Sequence, residues 1–219
     1  MKIRWFGHSF FQIKTKFEGR ERTKIFIDPF EEDTGLKLPN RLSGEIVMVT
    51  HPHSHHNNVK AISGNPFVIE GPGEYEVRKV FIHGISSFHD QKKGKENGRN
   101  TIYIVENEGI RLCHMGDFNQ AELTEKQMEK IGEVDILLIP IGGGKTVSAK
   151  GAAKIMSQVE PRITIPMHYA LPKLKVKLDP LDNFLKAFGI KAANPVEELS
   201  VKKKSLPKED EAKIIVLKH

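Results

Sequence analysis

Cysteine is almost absent: Cys113 is the single thiol in 219 residues, so no internal disulfide can staple the fold, which fits a reducing compartment. No stretch approaches the run of about 20 apolar residues that crosses a bilayer as a helix. Met1-Lys2-Ile3-Arg4-Trp5-Phe6 lacks the apolar centre of a signal peptide. A cytoplasmic protein with no membrane association is the expectation. Aromatics other than phenylalanine are scarce, with one Trp and three Tyr against 12 Phe. The late lysines, Lys173, Lys175 and Lys177 and then Lys202, Lys203 and Lys204, are not interleaved with rings that stack on bases. The net charge of +6 reads first as a lysine-rich solvated surface, with attraction of an anionic substrate and, less so, of nucleic acid as the functional alternatives. Nor is there a nucleotide-binding glycine loop. Gly142-Gly143-Gly144-Lys145-Thr146 has Ile139 where the first glycine of that pattern belongs.

What the chain does have is histidine, concentrated in one place. Four imidazoles, His51, His53, His55 and His56, follow the apolar run Ile46-Val47-Met48-Val49 within six positions. That run, closed by Thr50 and Pro52, reads as a buried strand entering a loop. Residues two apart in an extended segment point the same way, so His51 and His53 project together. Converging neutral imidazoles suit zinc or a neighbouring transition metal.

The rest of the pattern alternates strands and helices. Residues 2–16 read as two short strands broken at Gly7-His8-Ser9, with a turn at Glu18-Gly19-Arg20-Glu21. Strands are predicted over 23–28, 45–50, 67–69, 80–86, 101–106, 110–114, 134–141 and 162–166, with a firm turn at Gly71-Pro72-Gly73 and a short helix over 59–63. Thr124-Glu125-Lys126-Gln127 matches a capping box and starts a helix to Ile131; a second helix spans 148–159. Asp179-Pro180 supplies an N-cap and N1 proline for a third, ended by Gly189. The tail from Val201 to Lys218 reads as a strand pair turning near Pro207-Lys208-Glu209-Asp210, and His219 is expected to be disordered. No linker or repeat divides residues 1–219, so one α/β domain with two sheets is predicted.

Three later strands also deliver a potential ligand at their C-terminal ends: His89, Asp117 and His168. Softer candidates surround them. His8, Asn100 and Lys145 are candidates for substrate contact, and Tyr169 for a proton or hydrogen bond to a developing oxyanion. Asp28, Asn57 and His114 are candidates for supporting the ligands. Cys113 and His83 read as structural.

Taken in order, His51, His53, His56, His89, Gly116-Asp117 and His168 resemble the metallo-β-lactamase superfamily, with its His-x-His-x-Asp-His loop followed by His, Gly-Asp and His. Gly7-His8-Ser9-Phe10, Ser87-Phe88-His89-Asp90, Asn100-Thr101 and Pro166-Met167-His168-Tyr169 look like the branch that includes ascorbate-6-phosphate lactonase. The resemblance covers nearly the whole chain. It implies an αββα four-layer sandwich and a cytosolic metal-dependent hydrolase of a small anionic ester, lactone or phosphoester, with one or two Zn²⁺, or Mn²⁺ or Fe. It implies a first ion on His51, His53 and His89, and a second on His56, His168 and position 55, with Asp117 bridging. Asp117, His55 and Tyr169 would carry the catalysis. The chain departs from the pattern at His55, where the family has Asp. That loss of a carboxylate leaves three states open: a second ion bound through His55, a mononuclear enzyme, or an impaired metal binder. A nuclease on the same fold is the other alternative.

Overall fold

The computed structural model describes residues 1–17, 21–191, 194–208 and 211–219; the turn expected at residues 18–21 and the one expected near residues 207–210 fall largely outside them. Among the described residues the strands form two sheets. The first has the order β12-β1-β2-β3-β4-β5, with β1 (Lys2–Trp5), β2 (Phe11–Phe17), β3 (Glu21–Ile27), β4 (Ile46–Val49), β5 (Phe67–Glu70) and β12 (Leu199–Ser200). The second has the order β13-β11-β10-β9-β8-β7-β6, with β6 (Gly73–Val77), β7 (Val80–Phe88), β8 (Arg99–Asn107), β9 (Ile110–His114), β10 (Ile136–Pro140), β11 (Ile163–Met167) and β13 (Lys213–Ile214).

The period of two sorts side chains between layers. Ile25, Ile27, Ile46 and Met48 enter the core between the sheets. Their neighbours Phe26, Val47 and Val49 face the other way, into a second cluster with Phe10, Phe30, Leu36, Leu42 and Ile62. β4 is therefore apolar at every position because both its faces are covered. Each such side chain removed from water contributes about 1.5–3 kcal/mol before chain entropy is counted. The outer layer over the first sheet consists of loops and 3₁₀ turns at Glu32–Thr34 and Val59–Ala61.

The α-helices add their buried sides to the core of the second sheet. α1 (Glu125–Ile131) carries both arms of the predicted capping box between Thr124 and Gln127. α2 (Ala149–Val159) buries Ala152, Ile155 and Val159 at helical spacing, and its N-cap Ser148 accepts a hydrogen bond from the Gly151 N–H. α3 (Leu181–Ala187) starts later than expected, with Pro180 rather than Asp179 as N-cap. Asp179 is committed elsewhere: its N–H donates to Gly142 O at 2.8 Å and its carbonyl accepts from Ala170 N at 2.9 Å.

Three other expectations are corrected. Gly73 opens an edge strand, β6, rather than closing a turn; Tyr75 and Val77 alternate there with the more exposed Glu74 and Glu76. The tail from Val201 to Lys218 is not a strand pair among the described residues: Lys203–Ser205 is a 3₁₀ turn, and β13 is its one strand, with β12 just before it. β12 lies antiparallel to β1 on the first sheet, and β13 parallel to β11 on the second, since each sheet offered a free edge. His219 is exposed yet placed, with its ring 5.8 Å from that of Trp5. Among the described residues no helix is long and apolar enough to cross a membrane.

Strand direction is what places the site. β1 and β3 both run antiparallel to β2, and β4 runs parallel to β3. β7 and β9 both run antiparallel to β8, and β10 and β11 continue parallel to β9. In each sheet the strands that carry ligand candidates thus end at the same edge. The sheets are joined there by Thr101 N–H to Thr50 O at 2.9 Å and Tyr103 O–H to Val49 O at 2.9 Å.

Candidate metal centre

His51, His53 and His56 leave the end of β4, His89 leaves β7, Asp117 leaves β9 and His168 leaves β11. His51, His56, His89 and His168 meet around one carboxylate oxygen of Asp117, and His53 lies with His51 and His89. Asp117 Oδ2 lies 3.2 Å from His56 Nε2, 3.2 Å from His89 Nε2, 3.3 Å from His168 Nε2 and 3.9 Å from His51 Nε2. Its other oxygen accepts the Ser9 hydroxyl at 3.4 Å.

Three of the rings, His51, His56 and His89, are held from behind. His56 Nδ1 meets Asp28 Oδ2 at 2.9 Å, and His89 Nδ1–H donates to the Lys145 carbonyl at 3.0 Å. Thr50 Oγ1 donates to Asp28 Oδ2 at 2.7 Å, so its lone pair is free to accept from His51 Nδ1 at 2.9 Å. With Nδ1 protonated on these three rings, the Nε2 side faces inward, as a ligand must. Asp28 is fully buried and its Oδ1 also accepts the Thr50 N–H at 2.8 Å, so one carboxylate orients two imidazoles.

The loop bearing Asp117 depends on a glycine. Gly116 has φ +58°, and a Cβ there would stand 2.3 Å from Asn100 Oδ1 and 2.8 Å from Thr50 Cβ, so no side chain fits. Asn100 closes this loop. Its Oδ1 accepts the Asp117 N–H at 2.9 Å, and its Nδ2 donates to Ser87 Oγ at 2.8 Å and Met115 O at 2.9 Å. His114 braces it from below, accepting the Gly116 N–H on Nδ1 at 3.1 Å and donating from Nε2 to Ser9 O at 3.1 Å.

The electrostatics are those of a concentrated charge cluster. Burial opposes ionisation of Asp117, yet the His168 and His56 rings outweigh it and hold the carboxyl well below the usual carboxylate range. Burial also works against a His56 cation, but Asp117 and Asp28 overcome it and raise that ring to about 10. Burial, then His56, keeps His51 neutral far below the ordinary imidazole value. His8 is lowered in the same way by burial and by His168 and His56.

Several buried nitrogens here have no hydrogen-bond partner among the described residues: His51 Nε2, His168 Nδ1 and both ring nitrogens of His8. An orphaned buried polar atom costs about 1–3 kcal/mol, and a cation among these lone pairs would remove that cost. The donor set, imidazoles with a carboxylate, fits a transition metal. Among the described residues, three groups have ligand atoms within 4.8 Å of one another: His51 with His53 and His89, His51 with His56 and Asp117, and His8 with His56 and His168.

The family model described as the β-lactamase superfamily domain matches residues 2–168. A metal-dependent hydrolase of Pyrococcus abyssi is 31% identical, covering 92% of this chain and all of that protein. A metal-dependent hydrolase of Thermococcus onnurineus is 30% identical over 77% of this chain and 84% of its own. A crystal structure from Thermotoga maritima, assigned as a Zn-dependent hydrolase of the metallo-β-lactamase superfamily, superposes with a TM-score of 0.78 at 35% identity, covering 99% of this chain and 97% of that one. The chain belongs to the metallo-β-lactamase superfamily. Membership carries the enzyme class, a metal-dependent hydrolase.

Of the residues singled out in the sequence, the superfamily centre brings together His51, His53, His56, His89, Asp117 and His168. His55 lies outside the three ligand groups: it is half-buried at the rim, with Nε2 3.7 Å from Asp33 Oδ1 and its ring 5.9 Å from that of His8. Tyr169 turns into the core, its ring 5.0 Å from Trp5, and burial pushes its phenol up. Asn100 has every polar atom of its amide engaged in the scaffold, as Asn57 spends its amide on Pro52 O at 3.0 Å. Lys145 is exposed at the mouth, its charge felt by His53, while its carbonyl holds His89. Cys113 is fully buried and its thiol is pushed up to about 12 by that burial, as suits a core residue. Thr50 and Ser9 figure in the sequence only as the close of a strand and part of a motif, and their support of the ligands is not foreseen there. Nothing local marks a hydroxyl that will bridge Asp28 to His51, or one that reaches Asp117 across the fold.

Proposed function

We propose that this hydrolase works with zinc and cleaves small anionic esters, lactones or phosphoesters. His51, His53 and His89 would hold one ion, and His56 and His168 together with Asp117 would hold its neighbour. The observation that carries the reading is Asp117 Oδ2 within 3.2–3.9 Å of four inward-facing Nε2 atoms. Zinc, when bound, supplies an acidified water and an electrophile at this point. The protein's own groups prepare the place for it. Asp28, Thr50 and the Lys145 carbonyl fix the rings, and Ser9 donates to the outer oxygen of Asp117. Burial of His51, His56, His89 and His168 closes the floor to solvent, leaving the mouth at His53 and His55. The Lys145 ammonium, at that mouth, attracts an anionic group on the substrate. His55, half-buried beside Asp33 at the rim, is the ring placed to pass a proton to solvent.

The test is metal analysis of the purified protein together with p-nitrophenyl ester, lactone and phosphodiester probes. Zinc in the protein, turnover abolished by a chelator and restored by Zn²⁺, and its loss in Asp117→Asn are expected. A metal-free protein that takes up no Zn²⁺ and cleaves none of the probes would overturn the reading.

A further inference from the structure

His8 sits at the corner between β1 and β2, far from the histidine loop in sequence, yet the residue is 1% exposed and its ring is surrounded by other imidazoles. Ring centroids are 4.1 Å from His168, 4.8 Å from His56 and 5.9 Å from His55. A structural histidine at such a corner would spend its ring on a carbonyl or carboxylate, as His114 does. Neither ring nitrogen of His8 has a hydrogen-bond partner among the described residues.

The backbone holds that ring where it is. His8 has φ 51° and His168 φ 52°, both in the left-handed region that non-glycine residues rarely adopt and that costs about 1–3 kcal/mol where it is imposed. The two are tied together by the His168 N–H donating to His8 O at 3.0 Å. Trp5 Nε1–H donates to the same carbonyl at 3.0 Å. Gly7, at φ +95°, passes so close under Leu36 that a Cβ would stand 2.8 Å from Leu36 Cδ1. The corner is thus pinned on both sides with its imidazole facing inward.

We infer that His8 is the third protein ligand of the second metal ion, completing with His56 and His168 the place that the missing carboxylate at position 55 leaves open. This rests on the metal-dependent reading above. One nitrogen from each of His8, His56 and His168 lies within 4.8 Å of the others, whereas His55 is turned to Asp33. The exchange replaces a negative ligand by a neutral one, so the second site is made of imidazoles around the Asp117 carboxylate. Such a set suits zinc, cobalt or iron and offers no oxygen cage for Mg²⁺ or Ca²⁺.

The experiment is uptake of Co²⁺ and Zn²⁺ by the chelator-stripped full chain, read as equivalents bound and as the visible Co²⁺ spectrum. His8→Gly suits the left-handed backbone and removes the ring; His8→Asn, also compatible with that backbone, serves if the glycine variant does not fold. The original chain takes up two equivalents. The His8 variant keeps the first and binds the second with a Kd raised by more than the roughly 10–100-fold that loss of an outer partner brings. Added imidazole restores the second equivalent in His8→Gly, and His55→Ala keeps both. Two tight equivalents in the His8 variant, or loss of the second in His55→Ala alone, would overturn the assignment while leaving the metal-dependent reading intact. No uptake by the original chain would overturn both.

Discussion

The main-chain N–H of His168 donates to the carbonyl oxygen of His8 at 3.0 Å, joining the first strand corner of the chain to the last residue of the proposed ligand set. Both residues hold left-handed backbone, and both present buried ring nitrogens without partners. The contact makes the geometry of one ring depend on the other. It also shows where the centre is vulnerable: in the supports as much as in the ligands.

Asp28 is the clearest support. Its carboxylate accepts from Thr50 N–H, Thr50 O–H and His56 Nδ1. Asp28→Asn turns one acceptor oxygen into a donor that faces hydrogen-bond donors. We expect metal affinity to fall about 10–100-fold and the metal-free protein to lose about 1–3 kcal/mol. Metal titration and thermal unfolding check the two effects separately.

Gly116→Ala tests the close approach that shapes the Asp117 loop. A Cβ 2.3 Å from Asn100 Oδ1 and 2.8 Å from Thr50 Cβ forces both neighbours to move. The expected cost is about 1–3 kcal/mol, which for a chain of this size is a fall in Tm of roughly 2–4 °C per kcal/mol. Turnover should fall with it, because Asp117 and the Thr50–His51 contact shift together. An unchanged Tm would mean that the loop relaxes freely.

Lys145 separates a main-chain role from a side-chain role. Lys145→Ala keeps the carbonyl that holds His89, so metal content should not change. Loss of the exposed ammonium should raise KM for an anionic substrate by roughly two- to fivefold, the scale of a solvent-screened charge contact. KM for a neutral ester should not move.

Asp90 supplies a pH dependence. Its carboxylate accepts N–H groups from Lys92, Gly94, Glu96 and Asn97. Backbone donation, led by Asn97 and only partly opposed by burial, lowers its pKa from 3.8 to about 2. A lowered folded-state value stabilises the fold above the unfolded value and ceases to do so as pH falls through the folded one. The Tm advantage of the original chain over Asp90→Asn should therefore be full above pH 3.8. It should shrink as pH approaches about 2, measured by calorimetry at fixed ionic strength.

Much of the architecture was legible from residues near in sequence. Thr124 and Gln127 announced their capping box because its contacts span three residues. The apolar runs at 46–49 and 136–140 announced buried strands because both faces are covered. β6 was not legible, since Glu74 and Glu76 make an edge strand look like part of a turn. The tail was only partly legible: β13 falls inside the stretch read as a strand pair but β12 precedes it, because each is only two residues long and takes whichever edge is free.

By itself the sequence determined the order in which strand ends deliver His51, His53, His56, His89, Asp117 and His168, since each follows a recognisable apolar run. Only the tertiary structure decided which other side chains join them. His55 is adjacent in sequence and turns to Asp33, while His8 comes from a remote corner and stands against His168. Local pattern settles whether a residue lies in a strand or a loop. Where its ring points is settled by sheet order and by hydrogen bonds between segments far apart in the chain.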